Sequence, residues 1–149
     1  MKKDVNVLSK IFPRQLYSDV KQLIDESRYL AAQTVNSVLS MLYWNIGSRI
    51  NSEILKNGRA EYGKNVIAEL SKRLEADYGS SFSEKNIRRM SQFANVFPQK
   101  KIVVSLIRQL SWTHIIALIP IDDPLKRDFY IQMCINEHWS VRTFRERIN

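Results

Sequence analysis

Hydrophobic residues recur every three or four positions along the first third of the chain, which is the spacing of an amphipathic helix. The pattern stops at Asn57-Gly58, where both residues accept a positive φ. A helix of about 40 residues is about 60 Å long at 1.5 Å per residue. A domain of 149 residues does not easily cover a helix of that length with its own core. Gly47, inside the pattern, predicts a kink or a close helix contact. The apolar positions are Val20, Leu23, Ile24, Leu30, Ala31, Val35, Val38, Leu39, Leu42, Ile46, Ile50 and Ile54.

Two shorter helices follow. The second is expected to open at Tyr62-Gly63 and to close near Tyr78-Gly79, where glycine suits the left-handed position after a helix. The third begins after Ser83, a side chain that caps helix N-termini, and runs until Pro98 stops it. Two helices joined by a short glycine-containing turn are typical of a helix-turn-helix unit.

The second half of the chain also shows helical patterns. A basic linker, Gln99–Lys101, precedes the apolar run Ile102–Val104, which we interpret as helical or irregular. The strings Phe82-Ser83…Arg88 and Trp139-Ser140…Arg145 are similar: each has an aromatic residue, a capping serine and a basic helix. This similarity suggests two helix-turn-helix units in tandem. The remaining helix starts are a Ser111 cap for a helix to Ile119, Asp122 or Asp123 with Pro124, and a Ser140 cap for Val141–Ile148.

Composition agrees with an all-α fold in a single domain, residues 1–149. Of 149 residues 44% are hydrophobic, and only four are glycine and four proline, too few for the many turns of a sandwich or barrel. No run reaches the ~18 apolar residues of a membrane helix, and Met1–Asp4 lacks the apolar core of a signal peptide. We therefore expect a cytoplasmic protein without a membrane partner. The single cysteine, Cys134, excludes an internal disulfide.

A formal charge of +8 favours association with polyanions, of which nucleic acid is the commonest. The densest positive segment is Ser83–Lys101, with five bases and one acid. On the third helix, a helical wheel separates a basic face from an apolar face of Ile87, Met90, Ala94 and Phe97. The alternative is a solvated basic face without a partner. The predicted nucleic-acid contacts are Lys85, Asn86, Arg88, Arg89 and Gln92, with Lys100 and Lys101 on phosphates.

The sequence gives little support for a metal site, a phosphate-binding loop or a cofactor. Cys134, His138 and His114 are too few and too scattered for a zinc site, and Asp122-Asp123 is explained by helix capping. We expect Cys134 to be a core thiol, His138 a C-terminal helix residue and His114 a satisfied polar residue of the core. No glycine-rich phosphate loop is present, and no metal or cofactor is expected. Trp44, Trp112 and Trp139 are predicted to pack in the core.

Several strings together resemble the N-terminal domain of the YhcG-like family of proposed PD-(D/E)XK nucleases, a bacterial family. They appear in the family's order from about residue 20 to the end. The matching strings are Tyr43-Trp44-Asn45-Ile46-Gly47, Arg59-Ala60-Glu61-Tyr62-Gly63-Lys64, Leu70-Ser71-Lys72-Arg73-Leu74, Phe82-Ser83-Glu84-Lys85-Asn86-Ile87-Arg88-Arg89-Met90, Gln109-Leu110-Ser111-Trp112-Thr113-His114 and Trp139-Ser140-Val141-Arg142.

The resemblance implies an all-helical domain that precedes a C-terminal nuclease domain in full-length members. No Pro-Asp followed by a spaced (Asp/Glu)-x-Lys is found here, so we expect an excised or truncated member that binds DNA, in preference to RNA, and does not cut it. One alternative is an interaction module in which the first helix forms a homodimer or docks a partner. Another is a stand-alone enzyme that uses His114 and an acid, which requires a pocket around His114.

Overall fold

A computed structural model describes residues 14–148, except the side chains of Arg14, Leu16 and Val20. This part of the chain contains seven α-helices and no strand, so the all-α prediction is confirmed. The sequence pattern also predicts a polar leader up to about Pro13, which lies outside the described residues. The helices are α1 (Arg14–Asn57), α2 (Ala60–Tyr78), α3 (Glu84–Val96), α4 (Lys100–Gln109), α5 (Trp112–Leu118), α6 (Pro124–Asn136) and α7 (Val141–Ile148), with a 3₁₀ turn at Ser80–Phe82 between α2 and α3.

Internal contacts divide the chain into two units, residues up to Val35 and residues from Asn36 onward. The described part of the first unit is the N-terminal part of α1, whose described side chains are almost all exposed. The second unit contains the rest of α1, the six other helices and the hydrophobic core. Among the residues that the structure describes, no helix combines the length and the hydropathy needed to cross a membrane.

The predicted helix ends agree with the structure because local backbone chemistry sets them. Gly58 follows α1 at a φ of 74°, and Gly79 follows α2 at a φ of 96°. The Ser83 hydroxyl accepts a hydrogen bond from the backbone N–H of Asn86 at 3.2 Å, which caps α3. In the second half, Asp123 rather than Asp122 caps α6, since its carboxylate accepts from the Leu125 amide at 3.0 Å.

Helix α1 starts at Arg14, where the predicted polar leader ends, and the bond from Gln15 to Asp19 lies in its first turns. Two predicted boundaries are corrected. Helix α2 starts at Ala60 rather than at Tyr62-Gly63. The expected basic linker at Gln99–Lys101 is also wrong: Lys100 and Lys101 are the first residues of α4. The buried residues Val103, Leu106, Ile107 and Leu110 hold this helix in place, which resolves the ambiguous run at Ile102–Val104 as helix.

Helix α1 crosses α3 in the second unit at very short distance. A Cβ atom on Gly47 would overlap the backbone carbonyl of Met90, so only glycine permits this approach. On one side of the crossing the Trp44 indole donates to the Phe97 carbonyl at 2.8 Å. On the other side the Asn51 amide donates to the Ser91 carbonyl at 2.9 Å. The close helix contact predicted at Gly47 is therefore confirmed.

Replacing Gly47 by alanine should destabilise the domain. The added methyl group meets backbone atoms, which cannot rotate away, so α1 and α3 must separate. We expect the free energy of unfolding to fall by about 2–3 kcal/mol in urea titrations followed by circular dichroism.

The matched control is Gly63→Ala in α2. There the new Cβ would lie 3.0 Å from Cγ2 of the Ile54 side chain, which can adjust. The change in unfolding free energy should stay below about 1 kcal/mol. Equal losses for both variants would contradict the account of the α1–α3 crossing.

Candidate nucleic-acid interface

Helix α3 has two faces of opposite character. Ile87, Met90 and Phe93 are fully buried, and Ala94 and Phe97 are almost so. Lys85, Arg88 and Gln92 are exposed on the other side, and Arg89 is half-buried. The apolar side is held by α1 and the core, so the basic side is left toward solvent.

The exposed face forms a shallow depression with a volume of about 500 Å³. Four of the predicted nucleic-acid contacts lie around it, together with Glu84, an acid that the prediction did not include in the site. Its spacing of four residues from Arg88 was the signal for this contact. The lining residues are Glu84, Lys85, Arg88, Arg89 and Gln92.

Two of the four predicted contacts around the depression, Arg88 and Gln92, already have partners within the domain. Arg88 forms an ion pair with Glu84, and about half of each side chain is exposed. Such a surface pair contributes little to stability, so Arg88 can exchange it for a phosphate at small cost. The Gln92 amide donates to the Ile119 carbonyl at 3.2 Å, which restrains its orientation.

The other three predicted contacts do not line the depression. The Asn86 amide donates to the Ser81 carbonyl, and its carbonyl accepts from the Trp112 indole at 3.4 Å. These bonds tie Asn86 to the turn before α3 and to α5. Lys100 and Lys101 are exposed at the start of α4.

His114 has a structural environment. Its Nδ1 accepts a hydrogen bond from the Ser111 backbone N–H at 3.3 Å, which completes a capping box at the start of α5, and also lies 2.8 Å from the Ser111 hydroxyl. Its Nε2 lies 2.8 Å from the Trp139 carbonyl, an atom that only accepts, so we assign the proton to Nε2. With both ring nitrogens engaged, His114 is the satisfied polar residue that was predicted. These contacts do not support the alternative in which His114 is a catalytic base.

Cys134 and His138 have separate roles. Cys134 is buried, and burial raises the pKa of its thiol from 9.0 to about 11. His138 lies just beyond α6 with a φ of 52°, and the following Trp139 amide donates to the Cys134 carbonyl at 3.2 Å. This is the usual way to end a helix with a left-handed residue. No group of three or more His, Cys, Asp or Glu residues suited to a metal occurs within residues 14–148.

The tryptophans pack as predicted. Trp44 is buried, and Trp112 and Trp139 are half-buried against the same core. The Trp112 ring centroid lies 4.9 Å from that of Tyr43 and 5.7 Å from that of Phe93. These contacts engage the Trp112 ring in aromatic packing within the domain.

These features define a class: an all-helical domain in which one short helix presents a basic face opposite a tightly packed apolar face. The sequence matches the family model described as the DUF1016 N-terminal domain over residues 19–149, so the chain belongs to this family. It is also 33% identical over 100 residues to a curated Escherichia coli (strain K12) protein named "Putative nuclease YhcG". That match covers 66% of this chain and 26% of the relative, so the chain spans about a quarter of the relative's length. No solved structure matches the chain. The resemblance to the YhcG-like N-terminal domain is confirmed.

The burial of Cys134 predicts slow thiol chemistry in the folded protein. A pKa of about 11 leaves roughly a hundredfold less thiolate at pH 8 than a pKa of 9.0. A disulfide reagent should therefore label the native protein far more slowly than the protein in urea, with Cys134→Ser as the unlabelled control. Equal labelling rates in both states would show that the thiol is accessible in the folded domain.

Proposed function

We propose that this domain binds duplex DNA through the basic face of α3 and thereby targets a nuclease to its substrate. The observation that carries the proposal is the division of α3 into a buried apolar side and a cationic side that surrounds one depression. The charge of +8 supports a polyanionic partner. Similarity to a protein named as a nuclease supports DNA as that partner.

The arrangement of α2, the 3₁₀ turn and α3 supports a helix-turn-helix mode of binding. In that mode the second helix lies in the major groove and its N-terminal residues contact base edges. Lys85 and Arg88 are in the first two turns of α3, and both are exposed. Guanidinium groups form paired hydrogen bonds with guanine or with phosphate, whereas lysine binds phosphate as a point charge.

In this proposal the domain binds and does not cut. Cleavage of a phosphodiester with Mg²⁺ requires carboxylates grouped around the ion. Asp123 is engaged as the cap of α6. The catalytic step is therefore assigned to another part of a full-length protein.

Replacing Arg88 and Arg89 by alanine should weaken binding to duplex DNA and flatten its salt dependence. Each lost phosphate contact removes about 0.9 from the slope of log K against log salt concentration, so the double variant should lose up to about 1.8. Anisotropy titrations of labelled duplex, single-stranded and branched DNA between about 50 and 200 mM salt measure both the slope and the preferred form.

The matched control is Arg49→Ala with Lys56→Ala on α1. Arg49 is also an exposed arginine in an i,i+4 ion pair, with Glu53 at 2.9 Å, but α1 packs on the buried side of α3. Its loss should leave the slope unchanged. Conversely, Glu84→Gln should strengthen binding by releasing Arg88. Equal effects of the α3 and α1 double variants would reject the α3 site.

A second candidate function is self-association through α1, because this helix exposes an apolar stripe. Val35 is 57% exposed and Val38 63% exposed, and Leu39 and Leu42 are each more than 40% exposed. The stripe continues toward Ile46 and Ile50, which α2 partly covers. An uncovered apolar stripe of this kind is typical of an interface, and a homodimer would bury it.

Val35→Glu should therefore lower the mass measured by light scattering at tens of micromolar protein, from that of a dimer to that of a monomer. Asn36→Glu is the control, because Asn36 is exposed, adjacent in sequence and off the stripe. Both variants should remain folded, since neither position is buried. A monomeric mass for the unmodified protein would reject the homodimer.

A further inference from the structure

The end of the chain repeats the local design of the α2–α3 unit. Before α7, as before α3, the turn contains one residue with positive φ, and an aromatic residue directly precedes a capping serine. The Ser140 hydroxyl accepts from the Thr143 amide at 3.1 Å, just as Ser83 accepts from Asn86. The predicted similarity between the segments around Ser83 and Ser140 is thus present in the backbone.

The repeat extends to the side chains that follow each cap. Four residues after the serine stands a fully buried apolar residue, Ile87 in α3 and Phe144 in α7. Two and five residues after the serine stand exposed cations. These are Lys85 and Arg88 in α3, and Arg142 and Arg145 in α7.

Helix α5 forms hydrogen bonds near the N-terminal ends of both α3 and α7. The Trp112 indole donates to Asn86 in the first turn of α3 at 3.4 Å. Two residues further on, the His114 ring lies 2.8 Å from the carbonyl of Trp139, which directly precedes the cap of α7. The first turn of α5 therefore holds both cationic helix starts in one neighbourhood.

The two faces differ in one respect. At the position that corresponds to Arg89, helix α7 has Glu146, whose carboxylate lies 3.6 Å from the Arg142 guanidinium. Arg147 is occupied, because its guanidinium lies 5.7 Å from the centroid of the Trp139 ring. Arg147 is also exposed, whereas Arg142 and Arg145 are the exposed cations at the positions of Lys85 and Arg88. A mixed-charge face with two exposed arginines is suited to phosphates rather than to base edges.

We propose that α7 is a second nucleic-acid-binding helix, in which Arg142 and Arg145 bind backbone phosphates of the same duplex that α3 contacts. The inference rests on the proposed function of α3. It adds an anchor that sets the register of the domain on the duplex and carries no sequence information of its own.

The test compares three pairs of variants in the anisotropy assay. Arg142→Ala with Arg145→Ala should reduce the salt slope by up to about 1.8, with affinity falling on the order of tens of fold at low salt and equally for unrelated duplex sequences. Arg142→Lys with Arg145→Lys should keep the slope, because the contact needs only charge. Arg49→Ala with Lys56→Ala should resemble the unmodified protein.

The outcomes separate this inference from the function on which it rests. If Arg88→Ala with Arg89→Ala flattens the slope and the α7 alanine pair does not, the α7 assignment is wrong and the α3 site stands. A loss of binding in the α7 lysine pair equal to that in the alanine pair also overturns the phosphate assignment. If the unmodified domain does not bind duplex DNA, the proposed function fails first. Thermal unfolding followed by circular dichroism verifies that each variant is folded.

Discussion

Helices α1 and α3 meet backbone to backbone at Gly47 and Met90, and most of the second unit is arranged around this contact. Because no side chain separates the helices, the Trp44 indole reaches the carbonyl of Phe97 and the Asn51 amide reaches that of Ser91. These bonds satisfy polar groups that burial would otherwise penalise. They also fix the rotation of α3 about its axis, and with it the direction of its basic face.

A short helix, α5, contacts the starts of α3 and α7, two capped helices with exposed cations. Its capping box engages one nitrogen of His114, while the other reaches the turn before α7. Trp112 packs on Tyr43 and Phe93 and donates to Asn86. His114, which looks chemically reactive in the sequence, therefore serves to position the turn before α7, and Trp112 serves to position the start of α3.

Charge and hydrophobicity are separated within this chain. The apolar stripe of α1 is partly covered by α2 near Ile46 and Ile50, whereas Val38 and Leu39 lie open. The basic face lies on α3, and α1 packs on the opposite, buried side of that helix. The two proposed functions, self-association and DNA binding, therefore involve different surfaces, so each can be tested independently.

The sequence by itself determined the helical class, most helix ends and the two-sided nature of α3. These features depend on local chemistry: the caps Ser83, Asp123 and Ser140, the positive φ of Gly58 and Gly79, and apolar spacing. Only the tertiary structure decided which of the predicted nucleic-acid-binding residues lie together around the depression on α3. Asn86 turns to the Ser81 carbonyl and Trp112, Gln92 meets the Ile119 carbonyl, and Lys100 and Lys101 join α4 outside the depression. The Trp112 and Ile119 partners lie 26 and 27 residues further along the chain, so helical spacing, which describes neighbours within one helix, contains no information about them.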